Sequence, residues 1–456
     1  MESRYTPLEA VLKIKELQPV LNAAVTIVDE PEANEAAGPL AGMPVVLKDN
    51  VSTKGIRTTA SSKILDNYVP VYDATIVEKL KNAGAVVVAK SSMDELGMGG
   101  TNRNAATGPA HNPWKPDHIT GGSSGGSAAL MAAKTVPLAI GTDTGDSIRK
   151  PAAYCGVIGV KPTYGRISRY GIIPYASSLD TVGYFTNSIA DAALALEILA
   201  GRDDHDMTSS FLPVEAYSEH LNASLQGKKI GVFRTVSDTI QDPVIKEAFE
   251  NLVSQLKEAG ADVEDVYMDE TLMNLIAPVY KTIANAEATA NHSNLDGLRF
   301  GVRVPGASVE EVMTNSRTAG FSSYVRARFV IGSYSLFEEN QDRLFRKAQK
   351  IRRLIVDAYK ELFKDHDVIL APAAVTTAPL IEQSSDVRFG EDHFEEEHMQ
   401  LANFSGYPSL TMPLGLSDGL PFGINLSAEP FAEQMLFDTA AGMEAIIDWK
   451  EECPNV

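Results

Sequence analysis

The chain has 456 residues, 44% of them apolar and 22% charged, and its 60 acidic against 40 basic side chains leave a net charge of −20. These are the proportions of an ordinary soluble globular protein, long enough for two or three domains or for one large α/β domain with additions. A surface this acidic repels phosphate backbones, which excludes a direct grip on nucleic acid; any nucleic acid would have to be held by a partner.

The N-terminus, "MESRYTPLEAVLKIKELQPVL", alternates charged with apolar residues and reads as an amphipathic surface helix. It lacks the uninterrupted apolar core of a signal peptide, and no apolar run approaches the ~20 residues of a membrane helix. Cys155 and Cys453 stand far apart and make no disulfide framework, so a reducing, cytoplasmic setting is expected. "GMPVVLKDN" (42–50) reads as a short apolar strand ending at Lys48. "DATIVEKLKNAGAVVVAK" (73–90) reads as a helix capped by Gly84 and then a buried β-branched strand. A glycine and serine loop leads into a helix of very small residues in "GGSSGGSAALMAAK" (121–134), which places that helix deep in the core. "TVPLAIGTD" (135–143) is a further strand, running into "GTDTGDSIRKPA".

"NSIADAALALEILAG" (187–201) is an amphipathic helix. "KKIGVFRT" is a strand, followed by a helix with Asp242 as N-cap and Pro243 at its first position. Residues 270–365 read as largely helical, "DVILAP" as a core strand, and "SLTMPLGLSDGLPFGINLSA" as a hairpin. Strands alternating with helices argue for an α/β layered fold with a mostly parallel sheet. Ligands in such folds gather at the carboxyl ends of strands, where Lys48 and Ser147 both fall.

Several chemistries fail on spacing. The eight histidines are scattered, and His393 and His398 lie in the acidic run "FGEDHFEEEH" (389–398) without an HExxH pattern, so no metal site is expected. "GGSSGGSAAL" lacks the lysine of a Walker loop and the GxGxxG spacing; a tight core turn explains its glycines better than a phosphate cradle. Ser147 sits in a glycine-rich turn after an apolar run, as a nucleophile would. No histidine lies between His118 and His205 to serve it. A lysine can take a serine's proton only when neutral, which needs its pKa lowered by roughly 3 units through burial, at a cost of roughly 4 kcal/mol. Lys48 at a core edge suits that requirement, with Asp49 directed to the opposite side. Taken alone, Lys48 reads more readily as a snorkelling or ion-paired lysine than as a base.

The stretches "GMPVVLKDN", "SSMDELGMGGTNRNAATGPAHNPW", "GGSSGGSAAL" and "GTDTGDSIRKPAAYCGVIGVKPTYGRISRYGIIPYASSLDTVG" together resemble the amidase signature family. "DGLRFG" and "NFSGYPSLTMPLG" with "GLPFGINL" are most similar to its glutaminase members that serve tRNA-dependent amidotransferases. The resemblance implies an α/β/α sandwich around a large mixed, twisted sheet, with residues 1–36 as an N-terminal helical segment and 37–456 as the amidase domain. Within that domain the signature core spans about 42–200 and a helical, substrate-side section about 265–365.

The resemblance also implies a relay of Lys48, of Ser123 preceded by a cis peptide bond, and of the nucleophile Ser147. The backbone N–H groups of Thr144, Gly145, Asp146 and Ser147 would form an oxyanion hole. Tyr280, Arg328 and Glu396 would hold glutamine, with Arg328 on its α-carboxylate. Glu396 is reached by ungapped counting and stands in place of the family's aspartate. Asp146 stands where the family most often has glycine; its carboxylate is expected to turn away from Ser147. No cofactor is implied for this chain. ATP and Mg belong to a partner subunit, within a heterotrimer formed with two other subunits that hold the tRNA and receive the ammonia. A free-standing amidase acting on another small amide, and a catalytically weakened scaffold subunit, are the alternatives.

Overall fold

A computed structural model describes residues 1–385, 394–447, Trp449 and Pro454. His393, the opening of the acidic run and Cys453 lie outside the described residues.

Eleven strands form one sheet: β1 (Ala24–Ile27), β2 (Pro44–Lys48), β3 (Val86–Ser91), β4 (Leu138–Asp143), β5 (Ile158–Lys161), β6 (Thr181–Thr186), β7 (Lys229–Phe233), β8 (Asp262–Val266), β9 (Val368–Pro372), β10 (Ser409–Ser417) and β11 (Leu420–Ala428). Their spatial order is β1-β3-β2-β4-β6-β5-β10-β11-β9-β7-β8. The sheet is mixed, as the family resemblance implies and not mostly parallel as the strand–helix alternation alone suggests. β3, β2 and β4 run parallel, as do β9, β7 and β8, while the pairs between them and the β1 edge are antiparallel. The sequence signals for single strands are sound; the direction in which β5, β6 and the β10–β11 hairpin pair is set by long connections that carry no local pattern.

Helices cover both faces, completing the α/β/α sandwich. Successive side chains of a strand point to opposite faces. Val45 and Leu47 accordingly pack into one core cluster with α2 (Thr75–Asn82) and α5 (Ile189–Leu199), whereas Val46 packs into the other. That second layer holds α1 (Pro7–Leu21), α3 (Gly125–Ala132) and α4 (Arg149–Cys155). The α1 helix begins with a capping box between Thr6 and Glu9. Asp242 and Pro243 cap and open the helix Pro243–Glu258, as read from the sequence. All eight residues of α3 are buried, because glycine, serine and alanine let its backbone lie directly on the sheet.

Candidate active site

Lys48 ends β2. The strand's alternation sends its side chain to the face that Val46 occupies, toward the start of α3. Its Nζ lies 2.8 Å from Ser123 Oγ, 2.8 Å from Ser124 Oγ, 2.9 Å from Thr142 Oγ1 and 3.1 Å from Thr142 O. The side chain is fully buried, and that burial pushes its pKa down from 10.5 to about 7 against the pull of Asp94, Asp143 and Asp180. None of those carboxylates is available to pair with it. Asp143 is taken by Arg149, Asp180 by Thr144 and the Tyr175 and Ala176 amides, and Asp94 by the Asn102 and Asn104 amides. Asp49 accepts from Thr59 and Ser61 on the other side of the strand. A shift of this size disfavours the ammonium by roughly 5 kcal/mol. Above about pH 7 the amine is mostly neutral and presents a lone pair that can accept the Ser123 proton.

The peptide bond between Gly122 and Ser123 is cis. Close packing explains the glycines around it. A Cβ at Gly122 would lie 2.0 Å from Asp94 Oδ2, one at Gly125 2.1 Å from Thr120 Oγ1, and one at Gly126 2.5 Å from Ala23 O. Asp94 is therefore the wall against which the serine loop is folded.

Ser147 is 4% exposed and sits on the turn between β4 and α4. Its carbonyl accepts the Ser124 N–H at 3.1 Å, which ties the two serine-bearing turns together. The Ser147 hydroxyl makes no hydrogen bond to Ser123 among the described residues; such contacts commonly tighten only with substrate bound.

Beneath the turn lies a clamp that the sequence did not reveal. Arg149, fully buried, donates through Nε and Nη2 to both Asp143 oxygens at 3.1 and 3.0 Å, and through Nη2 to Gly145 O at 2.7 Å. Asn403, 254 residues after Arg149, accepts from it at 2.7 Å and donates to Asp143 Oδ1 at 2.9 Å. In a trans peptide the C=O and N–H point opposite ways. Turning the Gly145 carbonyl toward Arg149 therefore turns the Asp146 N–H away from it. Among the described residues the amides of Thr144, Gly145, Asp146 and Ser147 are donated to no protein acceptor.

A cavity of about 140 Å³ opens on Ser147 and Asp146, with Lys150, Tyr154, Tyr175, Tyr280, Arg328 and Glu396 in its walls. The structure thus brings all the sequence-nominated substrate residues to one cleft. Tyr280 projects from the helix Ile276–Asn291 over the turn: a Cβ on Gly145 would lie 3.1 Å from its ring. Arg328, on the helix Ser323–Leu336, donates to Tyr175 Oη at 2.9 Å and to Tyr324 Oη, whose ring it also covers at 4.5 Å. Its guanidinium is thereby fixed before any substrate arrives. Glu396 gives its backbone carbonyl to Lys150 Nζ at 2.6 Å. Asp146 Oδ2 pairs with the same Nζ at 3.1 Å. Tyr175 and Lys150 were not anticipated, since neither type at that spacing carries a signal. A second cavity, of about 320 Å³, includes Asn50, Thr142 and Thr144, but neither Lys48 nor Ser147 is in its walls. No group of three or more histidine, cysteine or acidic side chains among the described residues is placed to hold a metal.

The Amidase family model matches residues 9–437. A glutamyl-tRNA(Gln) amidotransferase subunit from Halothermothrix orenii is 40% identical over 450 residues, covering 97% of this chain and 94% of that protein. The crystal structure of the same amidotransferase subunit from Thermotoga maritima superposes with a TM-score of 0.83 at 35% identity, over 99% of this chain and 94% of the other. The native peptide amidase from Stenotrophomonas maltophilia gives a TM-score of 0.81 at 28% identity, over 99% and 95%.

Proposed function

The chain belongs to the amidase family, and on that premise we propose that it is the glutaminase subunit of a glutamyl-tRNA(Gln) amidotransferase. The observation that carries the chemistry is the Lys48 amine, buried at 2.8 Å from Ser123 and stripped of a carboxylate partner. Ser147 Oγ attacks the side-chain amide carbon of glutamine while its proton passes to Ser123, and the Ser123 proton passes to Lys48. The amides of residues 144–147 stabilise the oxyanion. Collapse of the tetrahedral intermediate breaks the C–N bond. Lys48, now an ammonium, returns the proton through Ser123 to the leaving nitrogen, and ammonia departs. Water then hydrolyses the acyl-enzyme by the same relay.

Arg328 would take the α-carboxylate, Tyr280 would cover the turn, and Glu396 would face the α-ammonium. The ammonia passes to a partner subunit that uses ATP and Mg to convert Glu-tRNA(Gln) to Gln-tRNA(Gln), within an assembly of this chain and two others. The net charge of −20 supports leaving the tRNA to a partner. The peptide amidase, at nearly the same TM-score, supports a second reading: a free-standing amidase on another small amide.

Ammonia release from glutamine, with and without co-expressed partner subunits and Glu-tRNA(Gln), separates the two. Ser147→Ala should lower turnover by about 10⁴-fold or more. Full activity in that variant, or brisk partner-independent turnover of amides other than glutamine, would sink the proposal.

A further inference from the structure

Asp146 places a carboxylate between Gly145 and Ser147, within the run of amides proposed as the oxyanion hole. A loose negative charge there would oppose the oxyanion that those amides stabilise. The structure shows where the charge goes. Asp146 Oδ2 lies 3.1 Å from Lys150 Nζ, one helical turn on, with only 16% and 12% of the two side chains exposed. The Lys150 N–H donates to Asp146 O at 2.9 Å, which fixes the spacing of the pair. On its far side Nζ donates to Glu396 O at 2.6 Å, so the ammonium cannot drift from the carboxylate. Tyr154, Glu396 and Glu397 also face it and hold its pKa high, whereas burial raises that of Asp146 in spite of the pairing.

We propose that Lys150 is a positioning residue for the oxyanion hole: it holds the Asp146 carboxylate away from Ser147 and cancels its charge. The inference rests on the assignment of Ser147 as nucleophile. It predicts that losing Lys150 is harmful only while Asp146 keeps its carboxylate.

Two assays on the full chain test it. One is ammonia release from L-glutamine with the partner subunits present. The other is modification of Ser147 by phenylmethanesulfonyl fluoride, followed by intact mass; it needs neither glutamine recognition nor partners. There Ser147 Oγ forms the O–S bond, the S–F bond breaks, fluoride leaves and the serine proton passes through Ser123 to Lys48. Lys150→Met should lower kcat and the sulfonylation rate by about tenfold or more with KM little changed. Asp146→Ala/Lys150→Met should return both to within about threefold of wild type, as a coupled pair requires. Lys150→Arg should keep the wild-type rates. Thermal midpoints confirm that each variant is folded. Wild-type rates in Lys150→Met overturn the inference. A double variant as slow as Lys150→Met overturns it too, since the lost Glu396 contact would then be the cause. A wild-type chain that leaves Ser147 unmodified overturns the nucleophile assignment instead.

Discussion

In the proposed relay the chemistry turns on Lys48, and the environment of that residue makes a prediction about pH. The relay requires the free amine, and burial brings its pKa from 10.5 to about 7. Below that value the lysine is protonated and cannot accept from Ser123. The acid limb of kcat/KM should therefore fall near pH 7, with the rate dropping about tenfold per unit further down. A limb near pH 10, or a flat profile down to pH 5, would mean that Lys48 is not the base. Arg149 shows a different use of burial at the same scale. It is charged, fully enclosed, and matched by Asp143, Gly145 O and Asn403, so its planar fork fixes the direction of one peptide group. The proposed role of Lys48 depends on its charge being unmatched, whereas the charge of Arg149 is matched and holds the turn in place.

Among the elements, α3 is packed with little tolerance for added volume. Its second residue meets backbone rather than side chains: a Cβ at Gly126 would come within 2.6 Å of both Ser92 N and Ser92 O as well as Ala23 O. Backbone cannot rotate away as a side-chain tip can. Gly126→Ala should therefore cost about 1–3 kcal/mol, against the small gain that alanine brings to an unconstrained helix position. Urea unfolding of the two chains measures this, and an unchanged midpoint would show that the helix can shift outward. Activity should fall with stability, because α3 opens at the loop that carries Ser123 and Ser124. The helices Ile276–Asn291 and Ser323–Leu336 pack on each other and present Tyr280 and Arg328 from one layer, which is why residues 48 apart share a cleft.

For the molecule as a whole, buried lysines couple stability to pH. Lys48 and Lys161 are held at about 7 and Lys90 at about 8, each by burial, against 10.5 for the ordinary side chain. Between those values the unfolded chain binds more protons than the folded one, so stability rises with pH across that window and is lost as pH falls toward 7. The thermal midpoint should be higher at pH 9 than at pH 7; a lower one would show that other groups dominate. No helix among the described residues is long and apolar enough to cross a membrane.

Much of this organisation was legible in the residues. Strand and helix positions followed from periodicity and caps, as with Gly84, Asp242 and Pro243, because those signals are local. The alternation of "PVVLK" gave the side of the sheet on which Lys48 lies. The motifs named the family, and with it Ser123 and Ser147. Local patterning could not supply the sheet's mixed direction, which came only through the family resemblance, and nothing in the sequence supplied the clamp joining Asp143 and Arg149 to Asn403 or the pairing of Asp146 with Lys150. A mixed sheet depends on how long connections return, and the clamp depends on residues some 250 positions apart meeting. Above all, the state of Lys48 was open: in sequence it is one lysine at the end of a strand. Only the packed structure removes its water, occupies the neighbouring carboxylates elsewhere, and so leaves an amine that can act as a base.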